Sequence, residues 1–367
     1  MAGDVITVAG AIAQRPHRAG HAWVFLQYLL GFRELGFDVQ FVDSLRSGGD
    51  PAYLGEVMAA AGLADRWTLL DGADAVGTSR PETLRRVRDS AFLLNVMGFL
   101  DDPEILAAAP RRVFLDIDPG FGQLWEALGL ADVFAGHDAF VTVGSNIGAP
   151  GCLVPTNVRQ WITTLPPVAL SAWPVRPQPP DAAITSVCSW RGPFGPIEYG
   201  GRTFGLRVHE FRRFLDLPGR TGARFELALD IDPADAADRD RLDAAGFDLV
   251  DPLAVTADLD AYRDYVAGSA AELCVAKNLY VDTRGGWFSD RSACYLATGR
   301  PVIAQDTGAR IPSGHGLLTF STVEEAVDAV ARVRADPESH GRAARELAQD
   351  VLAASVVLPP LIDAVSR

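Results

Sequence analysis

Between Gly285 and Gly308 the chain gathers side chains suited to holding phosphate and hydroxyl groups: Ser289, Arg291 and Ser292 at one end, Asp306, Thr307 and Gly308 at the other. Between them the residue types read as a glycine turn, a polar helix start, an apolar helix, Gly299 as a helix stop, a short buried strand from Pro301 to Gln305, then a polar loop. Ser289 or Asp290 suits the N-cap of a helix running to Thr298. Free N–H groups at such a start attract phosphate oxygens, and Arg291 adds a guanidinium able to grip them through two bonds. In a parallel α/β sheet the helix start and the loop after the next strand both face the carboxyl edge, where ligands bind. The stretch predicts a diphosphate seat with a hydroxyl-binding loop one strand later.

Further candidates stand at other strand ends. Trp190 and Arg191 follow the apolar run ending at Cys188, so Trp190 is placed to stack on a base and Arg191 to reach phosphate, or the pair is a buried indole beside a surface arginine. Arg207 lies near the start of the next helix, and Lys277, the only lysine of the chain, follows a strand. In the first half, Asp116 and Asp118 leave a strand together. His21 begins a helix beside the loop after the first strand, with His17 close by. An imidazole of ordinary pKa takes a hydroxyl proton at neutral pH, and Asp116 or Asp118 could orient it or act as the base.

The elements that would position these groups follow from hydrophobic patterning. Val5 to Ala9, Phe37 to Asp43, Ala91 to Asn95, Arg112 to Asp116 and Ala139 to Val143 read as buried strands, with helical patterns between them, the first from His21 to Leu35. Strand patterns recur at Ala183 to Cys188, Phe225 to Ala228, Phe247 to Val250 and Leu273 to Val275. From Val323 to about Ala354 the pattern is helical. Alternation of this kind favours parallel sheets. Proline density between Pro166 and Pro180 marks an interdomain connection, because proline continues neither a helix nor a central strand. The expected division is residues 1–170, 181–345 and a final segment 346–367.

At 367 residues, with 48% hydrophobic and 22% charged residues, the chain is expected to form two packed domains. A formal net charge of -14 argues against a nucleic-acid or anionic-membrane surface, since neutralising phosphates requires clustered cations. The four cysteines are far apart in sequence and read as free thiols. Met1 to Asp4 carry no basic leader, and no apolar run approaches ~18 residues, so the expected location is the cytoplasm.

The order helix, Gly299, Pro301-Val302-Ile303, polar loop with Gly308, together with Ser289-Asp290-Arg291-Ser292-Ala293-Cys294-Tyr295-Leu296-Ala297 and Gln305-Asp306-Thr307-Gly308, resembles the donor-binding motif of bacterial glycosyltransferases of the GT-B architecture. The resemblance covers most of the chain, best from Val187 onward. It implies two Rossmann-like domains with parallel sheets facing across a cleft, the first for an acceptor and the second for a nucleotide sugar, with the final helix crossing back onto the first domain. It also implies metal-independent transfer from a nucleoside diphosphate sugar, as co-substrate and without a cofactor, to a small-molecule acceptor such as a secondary metabolite. The donor residues would be Trp190, Arg191, Arg207, Lys277, Ser289, Arg291, Ser292, Asp306, Thr307 and Gly308, and the base His21, with His17 or Asp118 in its place. One departure stands out: the two glutamates, with seven residues between them, that retaining members use to grip the donor are Gly286 and Cys294 here. A sugar-nucleotide epimerase and a non-catalytic nucleotide-sugar-binding protein are the alternatives. The oligomeric state is not legible from sequence.

Overall fold

The computed structural model describes residues 5–192 and 194–367. Met1 to Asp4, read above as lacking a basic leader, lie outside them. Among the described residues two large sheets are present, each with helices on its faces. The first contains β1 (Val5–Ala9), β2 (Asp38–Ser44), β3 (Trp67–Asp71), β4 (Asp74–Gly77), β5 (Ser90–Val96), β6 (Arg112–Asp116), β7 (Ala139–Thr142) and β8 (Trp161–Thr163), in the order β4-β3-β2-β1-β5-β6-β7-β8. All neighbours pair in parallel except β3 and β4, an antiparallel edge hairpin. Strands β1, β2, β5 and β6 are rich in Val, Leu and Phe and buried on both faces, as expected of parallel strands covered on two sides.

After β9 (Ile184–Ser189), a small antiparallel hairpin of β10 (Ile197–Tyr199) and β11 (Arg202–Phe204) projects from the second domain. The second sheet continues with β12 (Phe225–Asp230), β13 (Phe247–Val250), β14 (Ala271–Cys274), β15 (Val302–Gln305) and β16 (Leu317–Phe320), all parallel in the order β13-β12-β9-β14-β15-β16. In both sheets the strand order reverses beside the first strand, and the crevice at that reversal is where open α/β sheets bind ligands.

The chain between the sheets is anchored. Trp173 is fully buried, its ring centroid 4.7 Å from that of Trp23 on the helix Ala19–Glu34 and 6.1 Å from that of Tyr262 on the helix Leu259–Gly268. One apolar core therefore runs from the first domain through this connection into the helix Asp290–Ala297 of the second. The last helix, Ala354–Val365, returns to the first domain: Ala354 and Leu358 lie against Gly31, where a β-carbon would come within 2.6 Å of either side chain. The four cysteines are free. No helix among the described residues is long and apolar enough to cross a membrane.

Candidate functional site

The carboxyl edges of the two sheets face each other across a cavity of about 430 Å³. Its second-domain wall is built from the ends of β9 and β14. Arg207 begins the helix Arg207–Phe211 and lies almost wholly buried between those ends. Its Nε donates to the Val275 carbonyl (3.1 Å) and its Nη1 to the Ser189 carbonyl (2.9 Å), which leaves Nη2 without a protein partner among the described residues. Two neutral carbonyls fix this cation without neutralising it. Lys277, just past β14, is walled by the rings of Phe121, Phe194 and Tyr280, and its Nζ reaches across the cleft to Asp118 Oδ1 at 2.7 Å. Burial lowers the lysine pKa, and Asp118 offsets part of that shift.

The first-domain wall comes from the loops after β1 and β6. Asp116 closes β6 and turns inward: Oδ2 accepts from Gln123 Nε2 (2.7 Å) and Thr142 Oγ1 (3.0 Å), and Oδ1 from the Asp118 amide (3.1 Å). Burial pushes its carboxyl up to about 7. Asp116 thus shapes the loop that presents Asp118, and Asp118 Oδ1 accepts from both Lys277 and the Tyr280 hydroxyl. His21 lines the cavity with Nε2 3.1 Å from the Ala11 carbonyl, a bond that places the N–H on Nε2 and the lone pair on Nδ1. Burial drives its pKa down to about 4, so the ring is neutral at pH 7. The cleft thus brings His21, Asp118, Arg207 and Lys277 together, with Ser289 beside them.

Other predicted residues sit elsewhere, for legible reasons. The Trp190 indole is buried, donates to Asp238 (2.9 Å) and packs on Phe211, so it presents no open face to a base. Arg191 makes a two-bond pair with Asp235 and is not among the residues that line the cavity. Arg291 lines the cavity, but its guanidinium turns under the sheet edge. Its Nε pairs with the fully buried Glu272 and its Nη1 donates to the Val187 carbonyl (2.8 Å), which makes it a structural cation. Ser289 occupies the N-cap of the helix Asp290–Ala297 without a side-chain capping bond, and Ser292 Oγ is buried without a partner among the described residues. His17 is exposed, outside the cavity lining, with its ring against Tyr53 and its carbonyl accepting from Thr256.

Asp306, Thr307 and Gly308 line a separate space of about 30 Å³ or its rim, where the two domains touch. Asp306 accepts from Arg284 (2.7 Å) and from the Gly308 amide (2.8 Å), the Asx-type turn that favours a glycine with φ +80°. Thr307 donates to the Trp287 carbonyl, and the Gly308 carbonyl accepts from Asn146 of the first domain (2.7 Å). The glutamate-to-glycine departure has its cause here. Ser145 and Asn146, in the loop after β7, donate their amides to the carbonyls of Gly286 (3.2 Å) and Gly285 (3.1 Å). With φ +76° at Gly286, a β-carbon would sit 2.4 Å from Ser145 Oγ. Cys294 likewise faces the first domain, accepting from Gln27 Nε2 (3.4 Å).

Asp290 and Arg15 are among the cleft residues that were not singled out as candidates. Asp290, read only as a possible cap, lines the cleft at helix position N1, and Arg15 lines it without an ion pair among the described residues. The i, i+4 spacing of Asp290 and Cys294 was the available signal for the first, since it puts both on one helix face.

No protein-family profile matches this chain, and neither does any curated protein sequence. Solved structures do match. An α-glucosyltransferase in complex with UDP superposes with a TM-score of 0.63 at 11% identity, covering 99% of this chain and 100% of that one. An α-glucosyltransferase in complex with UDP and a 13-mer DNA containing a HMU base gives 0.61 at 10% identity, covering 99% of each chain. The Anabaena protein HepE in complex with UDP and glucose gives 0.57 at 10%, again covering 99% of each. The chain has the GT-B glycosyltransferase fold. The DNA complexes correct the expectation of a small-molecule acceptor with nucleic acid excluded. Net charge describes the whole surface, whereas phosphate contacts depend on local cations, such as Arg15 at this cleft.

Proposed function

We propose that this protein transfers a glycosyl group from a nucleoside diphosphate sugar to an acceptor hydroxyl. The observation that supports this most is the meeting, in one cleft of about 430 Å³, of two cations from the second domain with an imidazole and a carboxylate from the first. In the transfer, the acceptor oxygen bonds to the anomeric carbon, the bond from that carbon to the phosphate oxygen breaks, and the leaving diphosphate takes the electron pair. Arg207 Nη2 and the Lys277 ammonium carry the developing negative charge, which is where fixed cations contribute most to rate. Lys277 moves from Asp118 to the diphosphate as it does so. Charge neutralisation by these two side chains makes turnover independent of a divalent metal, so EDTA leaves it unchanged.

His21 receives the acceptor proton on Nδ1, its Nε2–H being held by Ala11. Because its pKa is lowered to about 4, the base stays unprotonated down to that pH, and the acidic limb of the rate profile lies near pH 4 rather than near ~6.5. The test is a panel of nucleoside diphosphate sugars assayed for donor hydrolysis and for transfer to acceptors that include duplex DNA. His21→Ala should lower turnover by roughly 10²–10⁴-fold with donor affinity nearly unchanged. Near-normal turnover in His21→Ala with loss in Asp118→Asn moves the base to Asp118, and retention of the anomeric configuration removes the scheme. Donor binding without any hydrolysis or transfer favours the non-catalytic reading, which the occupation of positions 286 and 294 by Gly and Cys supports.

A further inference from the structure

The cleft has a side recess that none of the roles above uses. Asp290 borders both the 430 Å³ cavity and, behind it, a space of about 10 Å³ between the two domains. The volume matches about one water-sized probe. Most of the recess wall is apolar, contributed by side chains such as Val24, Ile117, Val143 and Phe288. Two polar groups in it are not taken up by other side chains among the described residues. The Asp290 carboxylate, half-buried, makes no side-chain ion pair among the described residues, and burial pushes it up to about 6. The Tyr28 hydroxyl, from the first domain, is buried with no hydrogen-bond partner among the described residues, on a side chain only 2% exposed. Gln27, the other polar residue on the wall, is engaged: its Oε1 accepts from the Ala169 amide and its Nε2 donates to Cys294.

A buried hydroxyl left open beside a carboxylate around one small volume is uncommon in folded proteins, because the hydroxyl carries an uncompensated desolvation cost. The chemistry that satisfies both is narrow. Phosphate is too large and is repelled by the carboxylate, and an apolar group leaves both unpaired. A single hydroxyl donates to the carboxylate, accepts from the phenol and fits the space.

We propose that the recess binds one sugar hydroxyl of the ligand that fills the cleft, with Asp290 as the acceptor and Tyr28 as the donor. The inference rests on reading the cleft as a nucleotide-sugar site. The hydroxyl comes either from the nucleoside ribose or from the transferred sugar.

The test is calorimetry with the tightest binder of a panel of uridine, adenosine and guanosine diphosphate glucoses, compared with its 2′-deoxy- and 3′-deoxyribose analogues and with its deoxyglucosyl analogues. One analogue should bind roughly 10- to 100-fold more weakly than the parent, the value of a hydrogen bond to a charged group. Loss with a deoxyribose analogue assigns the ribose, and loss with a deoxyglucosyl analogue assigns the transferred sugar. Asp290→Asn and Tyr28→Phe should bring the parent down toward that analogue while leaving the analogue's own affinity unchanged. Tyr28→Phe removes only an unpaired hydroxyl, so it keeps the test open should Asp290→Asn fold poorly. Equal binding of parent and all analogues, or variants that weaken both alike, overturns the inference while leaving the donor reading intact. A wild-type protein that binds none of the panel overturns the donor reading and the inference with it.

Discussion

The edge of the second sheet has two halves. At the ends of β9 and β14, Arg207 is held by carbonyl oxygens and keeps Nη2 free among the described residues. Past β15 and at the start of the helix Asp290–Ala297, the polar side chains are taken up by the protein itself: Arg291 by Glu272, Asp306 by Arg284 and Gly308, Thr307 by Trp287. Both halves look equally apt for phosphate when read as residue types. What separates them is the charge of the partner, since a guanidinium braced by carbonyls keeps its charge for a ligand, whereas one paired with a buried carboxylate does not.

The sharpest way to break this contrast is Arg291→Ala. It should cost about 3–5 kcal/mol of stability, because Glu272 is left charged and fully buried, and chemical denaturation would read it. Donor affinity, measured in the folded fraction, should hardly change. Arg207→Ala should do the reverse, weakening nucleoside diphosphate binding by roughly 1.5–3 kcal/mol in calorimetry. If Arg291→Ala loses affinity and Arg207→Ala does not, the contrast is inverted. Gly286→Ala probes the seam next to the second half. The β-carbon meets Ser145 and Asn146 and the backbone has φ +76°, so a loss of ~1–3 kcal/mol is expected, with faster hydrogen exchange at the amides of Ser145 and Asn146.

The effect from the opposite wall is spread over pH. The folded-state pKa of Asp116 is raised to about 7, so the folded protein holds this proton more tightly than the unfolded chain. Its contribution is fully present below about pH 4 and is lost as pH rises to about 7, with a slope of at most ~1.4 kcal/mol per pH unit. His21, with its pKa lowered to about 4, has the opposite sign between about pH 4 and the ordinary histidine value, where stability rises with pH. The raw curves partly cancel. The difference between Asp116→Asn and wild type isolates the carboxyl, and a difference that does not change between pH 5 and 7 contradicts its burial.

Much of the frame was legible because its signals are local. Strands β6 and β13 lie where their apolar runs predicted, and Gly299, at φ +74°, ends its helix as expected. Strands β3, β4, β8 and β16 were not read. They are short, and β4 and β8 lie at the edges of the first sheet, where half-exposed strands lose the continuous apolar run that marks a central one. The site was less legible. Whether Arg291 is free depends on Glu272 in a neighbouring strand, and whether Lys277 is paired depends on Asp118 in the other domain. Residue type at a helix start says that a cation is available to something, and only the tertiary fold says to what.

The return of the final helix ties the order of synthesis to the order of folding. The first sheet is complete in sequence at β8, yet the groove on the helix Ala19–Glu34 is filled by Ala354 and Leu358. Val168, just past the sheet, exchanges backbone hydrogen bonds with Leu352 and Ala354. While the second domain is still emerging from the ribosome, the first must wait with that apolar groove open to water. A nascent chain of this kind is exposed to aggregation for as long as translation takes to reach Leu358. Slowing elongation within the second domain should therefore lower the soluble yield of the whole protein.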